Sequence, residues 1–361
     1  MPETLDLLVP GLLGPMPVPV PVPVRALRTP TLDLLLDRAV VAEPAGDDTA
    51  SVLLARFGAA ASAPYALAAD DPDWDRSGWW LHADPVHLRP DRDLLRLFDA
   101  SHLGISRAEA DALVAALNGH FVGDGLRFHA PVADRWYVEC ATPPRLDTTS
   151  LARVDGRHID GALPTGPDAS RWAALMSEAQ MLLFQSPMNR AREAAGRPAV
   201  NGLWCWGGGI WQVPATPPAL ALGSAPLLRG LAAAAGIEHR ARPGADAAAE
   251  LGVTRVGGKP GRVLVLWGGL DEALRDRDQD AWAGAAARLE RWVASLPMAL
   301  RRGEVRALRI DTCDGDCLLV RGLDLRWYRR LLRRPRALLE RATVGSSPGP
   351  ALRPPSGLLQ D

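Results

Sequence analysis

Lysine is nearly missing: of 41 basic residues only Lys259 is lysine, and with the abundance of Ala, Gly and Pro this is the pattern expected from codon bias in a GC-rich bacterial genome. The arginine excess is therefore weak evidence for phosphate binding. The net charge of -1 supplies no field that would gather polyanions, so neither nucleic acid nor an acidic membrane is expected as a partner. Cysteine is scarce as well. Cys140, Cys205, Cys313 and Cys317 are too few and too scattered for a disulfide framework, which suits a reducing compartment. No stretch approaches the roughly 20 uninterrupted apolar residues that a membrane span needs. The opening MPETLDLLVPGLLGPMPVPVPVPV has no basic start, and its alternating prolines cannot continue a helix, so it does not read as a secretory signal. A cytoplasmic location is expected.

Several catalytic signatures are also wanting. There is no G-x-S-x-G nucleophile elbow. WCWGGG at 204–209 lacks the Lys and Ser/Thr of a P-loop and reads as a strand ending in a tight turn. Asp276, Asp278 and Asp280 alternate as in a calcium loop, but Ala281 and Ala287 stand where that loop needs Gly and Glu. Cys313 and Cys317 flank CDGDC, read as a cross-strand pair beside a hairpin turn at Asp314 and Gly315 in preference to a metal site. Histidine is unevenly placed: His82, His87, His102, His120, His129 and His158 precede residue 160, and only His239 follows it. A two-metal hydrolase draws His and Asp from several core strand ends, and few are on offer here. His82, Asp84 and His87 are close in sequence, but along a strand their faces alternate imperfectly.

What is present is an α/β pattern. At 361 residues, 47% hydrophobic and 23% charged, the chain can build one large core plus a smaller domain. Leu5 to Val9 reads as a buried first strand, the Pro-Val repeat from Pro15 to Val24 as an extended connector, and 31–41 as a helix capped by Thr29 with Pro30 in its first turn. PAGDDTASVLLARFG, 44–58, is a polar turn leading into a second helix. Between Asp70 and Arg145 short strands near Trp79–Ala83, Leu126–Phe128 and Arg135–Glu139 surround one helix, SRAEADALVAALN, with a capping box from Ser106 and Glu109. This stretch reads as an inserted α+β lid. A helix from about Asp168 to Phe184 is expected to return the chain to the core. Apolar runs at Gly202–Trp206, Val263–Trp267 and Val305–Ile310 then alternate with helices near 225–235 and 279–296, as in a mainly parallel sheet covered by helices. The expected division is core at 1–69, lid at 70–145, core again at 146–342, and a disordered tail at 343–361.

The run QMLLFQSPMNRAREAAGRPAVNGLWCWGGG, 180–209, resembles a segment of the archaeal-type cofactor-independent phosphoglycerate mutases, which belong to the alkaline-phosphatase-like superfamily. Pro187, Asn189, Arg192, Gly196, Asn201, Trp204, Trp206, Gly207 and Gly209 keep that pattern, while Ser186 replaces a His. TPTLDLLL at 29–36 and PAGDDTASVLLARFG resemble the superfamily's Thr-Pro-Asn-Leu-Asp helix and the mutases' nucleophile turn. Over most of the chain, LLVPGLLGP, LHADPVHLRPDRDLLRLFD and GRHIDGALPTGPDA are similar to the RpfE-type bacterial regulatory proteins. The resemblance implies an alkaline-phosphatase-like core. It also implies that the serine which takes the phosphoryl group is replaced by Asp47, beside Asp48, and that the first-strand metal carboxylate is replaced by Pro10 before Gly11. Of the metal ligands only Asp271, Glu272 and Asp314 survive, with Arg275 or Asp276 near a lost His. It further implies a substrate-binding set of Arg89, Arg92, Arg96, Arg135, Asn189, Arg192, Asn201 and Trp206. Arginine forks suit bidentate phosphate binding.

The expectation is a pseudoenzyme that binds a phosphorylated metabolite or a protein partner in regulation, with no cofactor. The alternatives are an active mutase or metal-dependent phosphatase using Asp47, Asp48, Asp271 and Asp314 with Mn or Mg, and an interaction protein without a small ligand. The last is suggested by 12 tryptophans, of which Trp79, Trp80, Trp204, Trp206 and Trp211 could line a cleft or docking surface.

Overall fold

The computed structural model describes residues 3–16, 26–92, 94–244, 246–248, 261–325 and 337–344. Most of the Pro-Val repeat and the tail beyond Val344 lie outside the described residues. The chain divides into two compact units: Met1–Val52 with Pro218–Ala225 and Ile237–Asp361, and Leu53–Pro217 with Pro226–Gly236.

The first unit is built on a seven-stranded sheet. Its strands are β1 (Glu3–Leu8), β2 (Val40–Ala42), β8 (Leu220–Leu222), β9 (Glu238–Arg240), β10 (Arg262–Leu266), β11 (Val305–Asp311) and β12 (Cys317–Arg321), in the order β2-β12-β11-β1-β10-β8-β9. β1 runs parallel to both β10 and β11, and β8 parallel to β10 and β9, while β12 is antiparallel to its neighbours. Leu5, Leu7 and Leu8 are buried because a central parallel strand is covered on both faces. Helices α1 (Pro30–Arg38), α8 (Leu270–Arg275), α9 (Gln279–Val293), α10 (Leu296–Arg302) and α11 (Leu338–Val344) belong to this unit. α9 turns Trp282, Ala285, Ala286, Leu289, Trp292 and Val293 into the core, the stripe its 3.6-residue period places on one face. Thr29 does not cap α1 as expected; its hydroxyl bonds Asp33 instead. The Glu290 carboxylate of α9 accepts the Thr31 and Leu32 amides at 2.8 and 2.9 Å, satisfying donors that the helix start leaves open. The expected helix also stops early, and Val40 and Val41 form an exposed edge strand.

The second unit holds the five-stranded sheet of β3 (Trp80–Asp91), β4 (Leu94–Phe98), β5 (Leu126–Val132), β6 (Arg135–Cys140) and β7 (Gly202–Gly209), all paired antiparallel. Helix α2 (Thr49–Phe57) crosses the boundary at Val52, and α3 (Ala63–Asp70), α4 (Arg107–Phe121), α5 (Ala169–Gln185), α6 (Pro187–Ala194) and α7 (Pro226–Ala235) lie within this unit. One sheet face packs Leu81, Ala83, Trp136, Val138 and Cys205 against α4 and α5. The other sets Trp80 and Tyr137 on Ala63, Ala66 and Leu67 of α3, and Val86 and Trp204 on Val154 and Ile159. Ser106 and Glu109 form the expected capping box on α4.

Gly202–Trp206 is not a parallel strand of the large sheet: it pairs antiparallel with Val86–His82 of β3. The α5 helix likewise packs Trp172, Leu175, Ala179 and Leu183 into the core of the second unit. This unit therefore runs from Leu53 to Pro217, well beyond the expected 70–145. The apolar run of 202–206 reads the same in either sheet, because composition does not specify a strand's partner.

Candidate functional site

In an α/β sheet, ligands collect at the carboxyl ends of the parallel strands, where connections depart to opposite sides. In the first unit these ends are Val9–Gly11 after β1, Trp267–Asp271 after β10 and Asp311–Asp314 after β11. They are tied together: the Val9 amide donates to the Asp311 carbonyl and the Trp267 amide to the Leu8 carbonyl, both at 2.8 Å. The Gly11 carbonyl accepts the Trp282 indole N–H at 2.9 Å. Gly11 has φ +76, and a Cβ there would lie 2.6 Å from the Asp271 amide nitrogen and 2.8 Å from its Cα. Pro10 offers no side-chain donor, so the end of β1 is closed by backbone packing.

The acidic groups around these ends have local structural work. Asp48 is buried, and its Oδ1 accepts the Ser51 amide at 2.7 Å, capping the start of α2, while its own amide donates to Ser51 Oγ at 3.1 Å. Asp47 is exposed. Asp271 pairs with Arg275 at 3.4 Å in the first turn of α8, which also carries Glu272. Asp311 is buried, and its Oδ1 accepts the Cys313 amide at 3.0 Å; Thr312 Oγ1 donates to Asp314. The expected hairpin between β11 and β12 is present, but the partner of Cys317 across it is Asp311, not Cys313. Cys313 sits in the turn at φ 58 with a buried thiol that forms no disulfide, and burial and then Asp311 raise it well above the usual range against a hydrogen bond from Thr49. Among the described residues no three His, Cys, Asp or Glu side chains are grouped as a metal ion would require. The residues at these strand ends do not fit a two-metal centre.

The second unit carries a polar band between its two apolar patches. His82 and Asp84 are two residues apart on β3, so they share a face, and each is 5% exposed. Trp206 stacks on His82, with centroids 4.2 Å apart and planes 12° from parallel, and donates its indole N–H to Asp84 Oδ2 at 2.7 Å. Burial pushes the Asp84 carboxyl up to about 7, against the Trp206 bond and the Arg135 charge. Burial and then Arg135 push His82 down to about 3, so its ring is neutral, and Nε2 is buried without a hydrogen-bond partner. His87 bonds the Ala199 carbonyl at 2.8 Å.

The arginines drawn from the resemblance do not converge. Arg89 and Arg96 are direct partners across the β3–β4 hairpin, and Arg92 stands in its turn at φ 58. Arg89 lies over the Phe98 ring at 4.7 Å, and Arg96 shares Asp91 with His158, both at 3.0 Å. Arg135 is held apart by a two-pronged bond to Asp70, at 2.8 and 2.9 Å, and Asp70 also accepts the Tyr137 hydroxyl at 2.8 Å. Asn189 is buried, bonding Leu183 O, Val200 O and Val200 N. Arg192 is fully buried, with Pro198 O, Leu103 O and Glu109 as partners. Asn201 brackets the backbone of Leu88 at 2.7 and 2.9 Å. These three side chains hold the α5–α6–β7 turn in shape. Of the tryptophans, Trp80 and Trp204 are buried, Trp79 packs beside the α4–α5 core, and Trp211 packs on Tyr65 and Trp74. Asp70, and the pairing of Glu109 with Arg192 and Arg197, escaped sequence reading because these partners lie far along the chain.

No protein-family model matches the chain. Among curated proteins it is 31% identical, over 132 residues, to a probable 2,3-bisphosphoglycerate-independent phosphoglycerate mutase of Geobacter sulfurreducens. The match covers 34% of this chain and 31% of that protein, so it spans about a third of the relative's length. Among solved structures, the protein PH0037 of Pyrococcus horikoshii overlays at a TM-score of 0.48 with 18% identity, covering 88% of this chain and 86% of that one. The cofactor-independent phosphoglycerate mutase of Thermoplasma acidophilum overlays at 0.39 with 16% identity, covering 89% and 90%. Over that third of its length the chain is distantly homologous to a cofactor-independent phosphoglycerate mutase.

Proposed function

We propose that this protein is a regulatory relative of the cofactor-independent phosphoglycerate mutases that binds a phosphorylated metabolite or a protein partner and has lost phosphoryl transfer. The observation that carries this reading is the closure of β1: Pro10 has no ligating side chain, and Gly11 is packed against the backbone of Asp271. Covalent phosphoryl transfer needs a nucleophile and positive charge on the attacking and leaving oxygens. The turn before α2 offers carboxylates in place of a hydroxyl, and Asp48 is engaged as a helix cap. The rival reading, an enzyme holding Mn or Mg on Asp47, Asp48, Asp271 and Asp314, needs those groups to converge, and among the described residues no three His, Cys, Asp or Glu side chains are grouped to hold a metal ion.

The anion reading is tested at the β3–β4 hairpin, where Arg89 and Arg96 are cross-strand partners, Arg92 stands in the turn, and only Arg96 is engaged by Asp91. A protein partner is supported by the outer face of α5, which leaves Met181 58% and Phe184 75% exposed. Calorimetric titration with 3-phosphoglycerate and with inorganic phosphate tests the metabolite reading. An Arg89→Ala, Arg92→Ala double variant is expected to weaken binding at least about tenfold, since each charge-assisted bond contributes about 1.5–3 kcal/mol. Equal affinity in the variant would count against the hairpin as the anion site.

A further inference from the structure

Helix α5 carries two ordered faces. Trp172, Leu175, Ala179 and Leu183 are buried against the core of the second unit. On the opposite side Ser170, Ala174, Ser177, Met181 and Phe184 are all exposed, at spacings of four, three, four and three residues. Those are the spacings of the a and d positions of a heptad, which fall on one line along a helix and form the seam against a second helix. Small side chains fill the first half of the line, and Met181 and Phe184 the second.

The charges beside the seam select its occupant. Arg171 and Glu178 are seven residues apart, so both stand at e positions on one flank, and both are exposed. The other flank, at the g positions, holds Ala173 and Gln180 and no charge. Between two antiparallel copies of one helix like flanks meet, so a two-fold axis brings Arg171 of each copy to Glu178 of the other. A parallel pair would set both charges against Ala173 and Gln180 instead. The antiparallel register also places Ser170 opposite Met181, Ala174 opposite Ser177, and Phe184 beside Pro167 at the head of the helix, so large side chains meet small ones. Glu178 reaches His120 of α4 at 3.3 Å, with both side chains about half exposed, which leaves its outer side open to a second cation.

We propose that α5 is a self-association surface: two copies of this chain pair their α5 helices antiparallel, burying Met181 and Phe184 and joining Arg171 of each copy to Glu178 of the other. The pairing rests on the protein-partner reading of this face and names the partner as a second copy. At 17 residues α5 is about 25 Å long, and one helix pair covers less than the roughly 1,600 Å² of a standard interface, so association is weak and concentration-dependent.

Sedimentation equilibrium of the full chain at low salt, over about two decades of concentration, tests it. The mass is expected to rise from 38.7 kDa toward twice that value. Phe184→Glu, at an exposed position, is expected to hold the chain at the lower mass. Arg171→Glu and Glu178→Arg each set like charges together and are expected to weaken association about tenfold, while the Arg171→Glu, Glu178→Arg double variant restores it. A wild-type chain that stays at 38.7 kDa throughout, a dimer that Phe184→Glu leaves intact, or a double variant no tighter than the single ones would overturn the proposal. Phosphoryl turnover by the purified chain would sink the regulatory reading whatever the mass, whereas a monomer without turnover removes the self-pairing alone.

Discussion

Asn189→Ala separates a structural from a ligand-binding role for the residue that the mutase resemblance singled out. Asn189 lies 2% exposed at the start of α6, and its amide makes three bonds of 2.7–2.9 Å to the backbone of Leu183 and Val200. Truncation removes three bonds of about 1 kcal/mol each and leaves buried backbone groups unsatisfied, for a total loss of about 3–5 kcal/mol. With a urea slope of about 2–3 kcal/mol per molar, the midpoint falls by about 1–2 M. Urea unfolding followed by far-UV circular dichroism and by tryptophan fluorescence reads this directly, because Trp204 and Trp206 lie on the strand that Asn189 leads into. A loss below about 1 kcal/mol, with a fall in ligand affinity instead, would refute the structural assignment.

Other expectations follow from the same reasoning. Burial alone would raise Glu109, but the Ser106 amide and hydroxyl with Arg197 and Arg192 hold it at about 2, against 4.5 unperturbed. Its contribution is therefore complete above about 4.5 and is lost as pH falls toward 2; Glu109→Gln should cost up to about 3 kcal/mol at neutral pH and flatten the acid limb of a stability–pH profile. A Glu109→Gln profile parallel to the wild type over that window contradicts it. Asp84 has the opposite sign: raised from 3.8 to about 7, it favours folding fully below about 4 and loses that contribution as pH rises through 7. Asp84→Asn should be more stable than the wild type at pH 8, by as much as about 4 kcal/mol, and the two should draw together toward pH 4. Gly11→Ala places a methyl 2.6 Å from the Asp271 nitrogen and forces φ +76 on an L-residue, so it should lower the melting temperature far more than Gly303→Ala, also at positive φ but with open space around it. Equal losses at the two glycines would remove the steric argument.

Local signals were well marked in the sequence. The capping box at Ser106 and Glu109, the apolar strands β1, β10 and β11, and the Asp-Gly hairpin each depend on neighbours a few residues away, and each appears where the pattern puts it. Partnership was not marked. Gly202–Trp206 has the composition of a buried core strand, and only its pairing with β3 shows which sheet it completes. Glu290 capping α1 from more than 250 residues away left no trace that a single sequence displays. The site divided in the same manner. The resemblance alone points to Pro10 and Asp47, whereas the capture of Arg135 by Asp70, and the burial of Asn189 and Arg192 in backbone networks, depend on tertiary contacts. A polar pair inside WLHADPV was the visible hint of the band at His82 and Asp84, but its stacking on Trp206 came only with the strand pairing.

The central claim is that a mutase-related chain binds without transferring phosphoryl groups, and a turnover assay addresses it most directly. Purified, folded protein supplied with manganese is given 3-phosphoglycerate and a generic phosphate ester, with Asp47→Ala alongside. The account predicts no conversion above the uncatalysed rate in either protein. Turnover in the wild type that Asp47→Ala abolishes would contradict it and make the exposed carboxylate before α2 a working nucleophile.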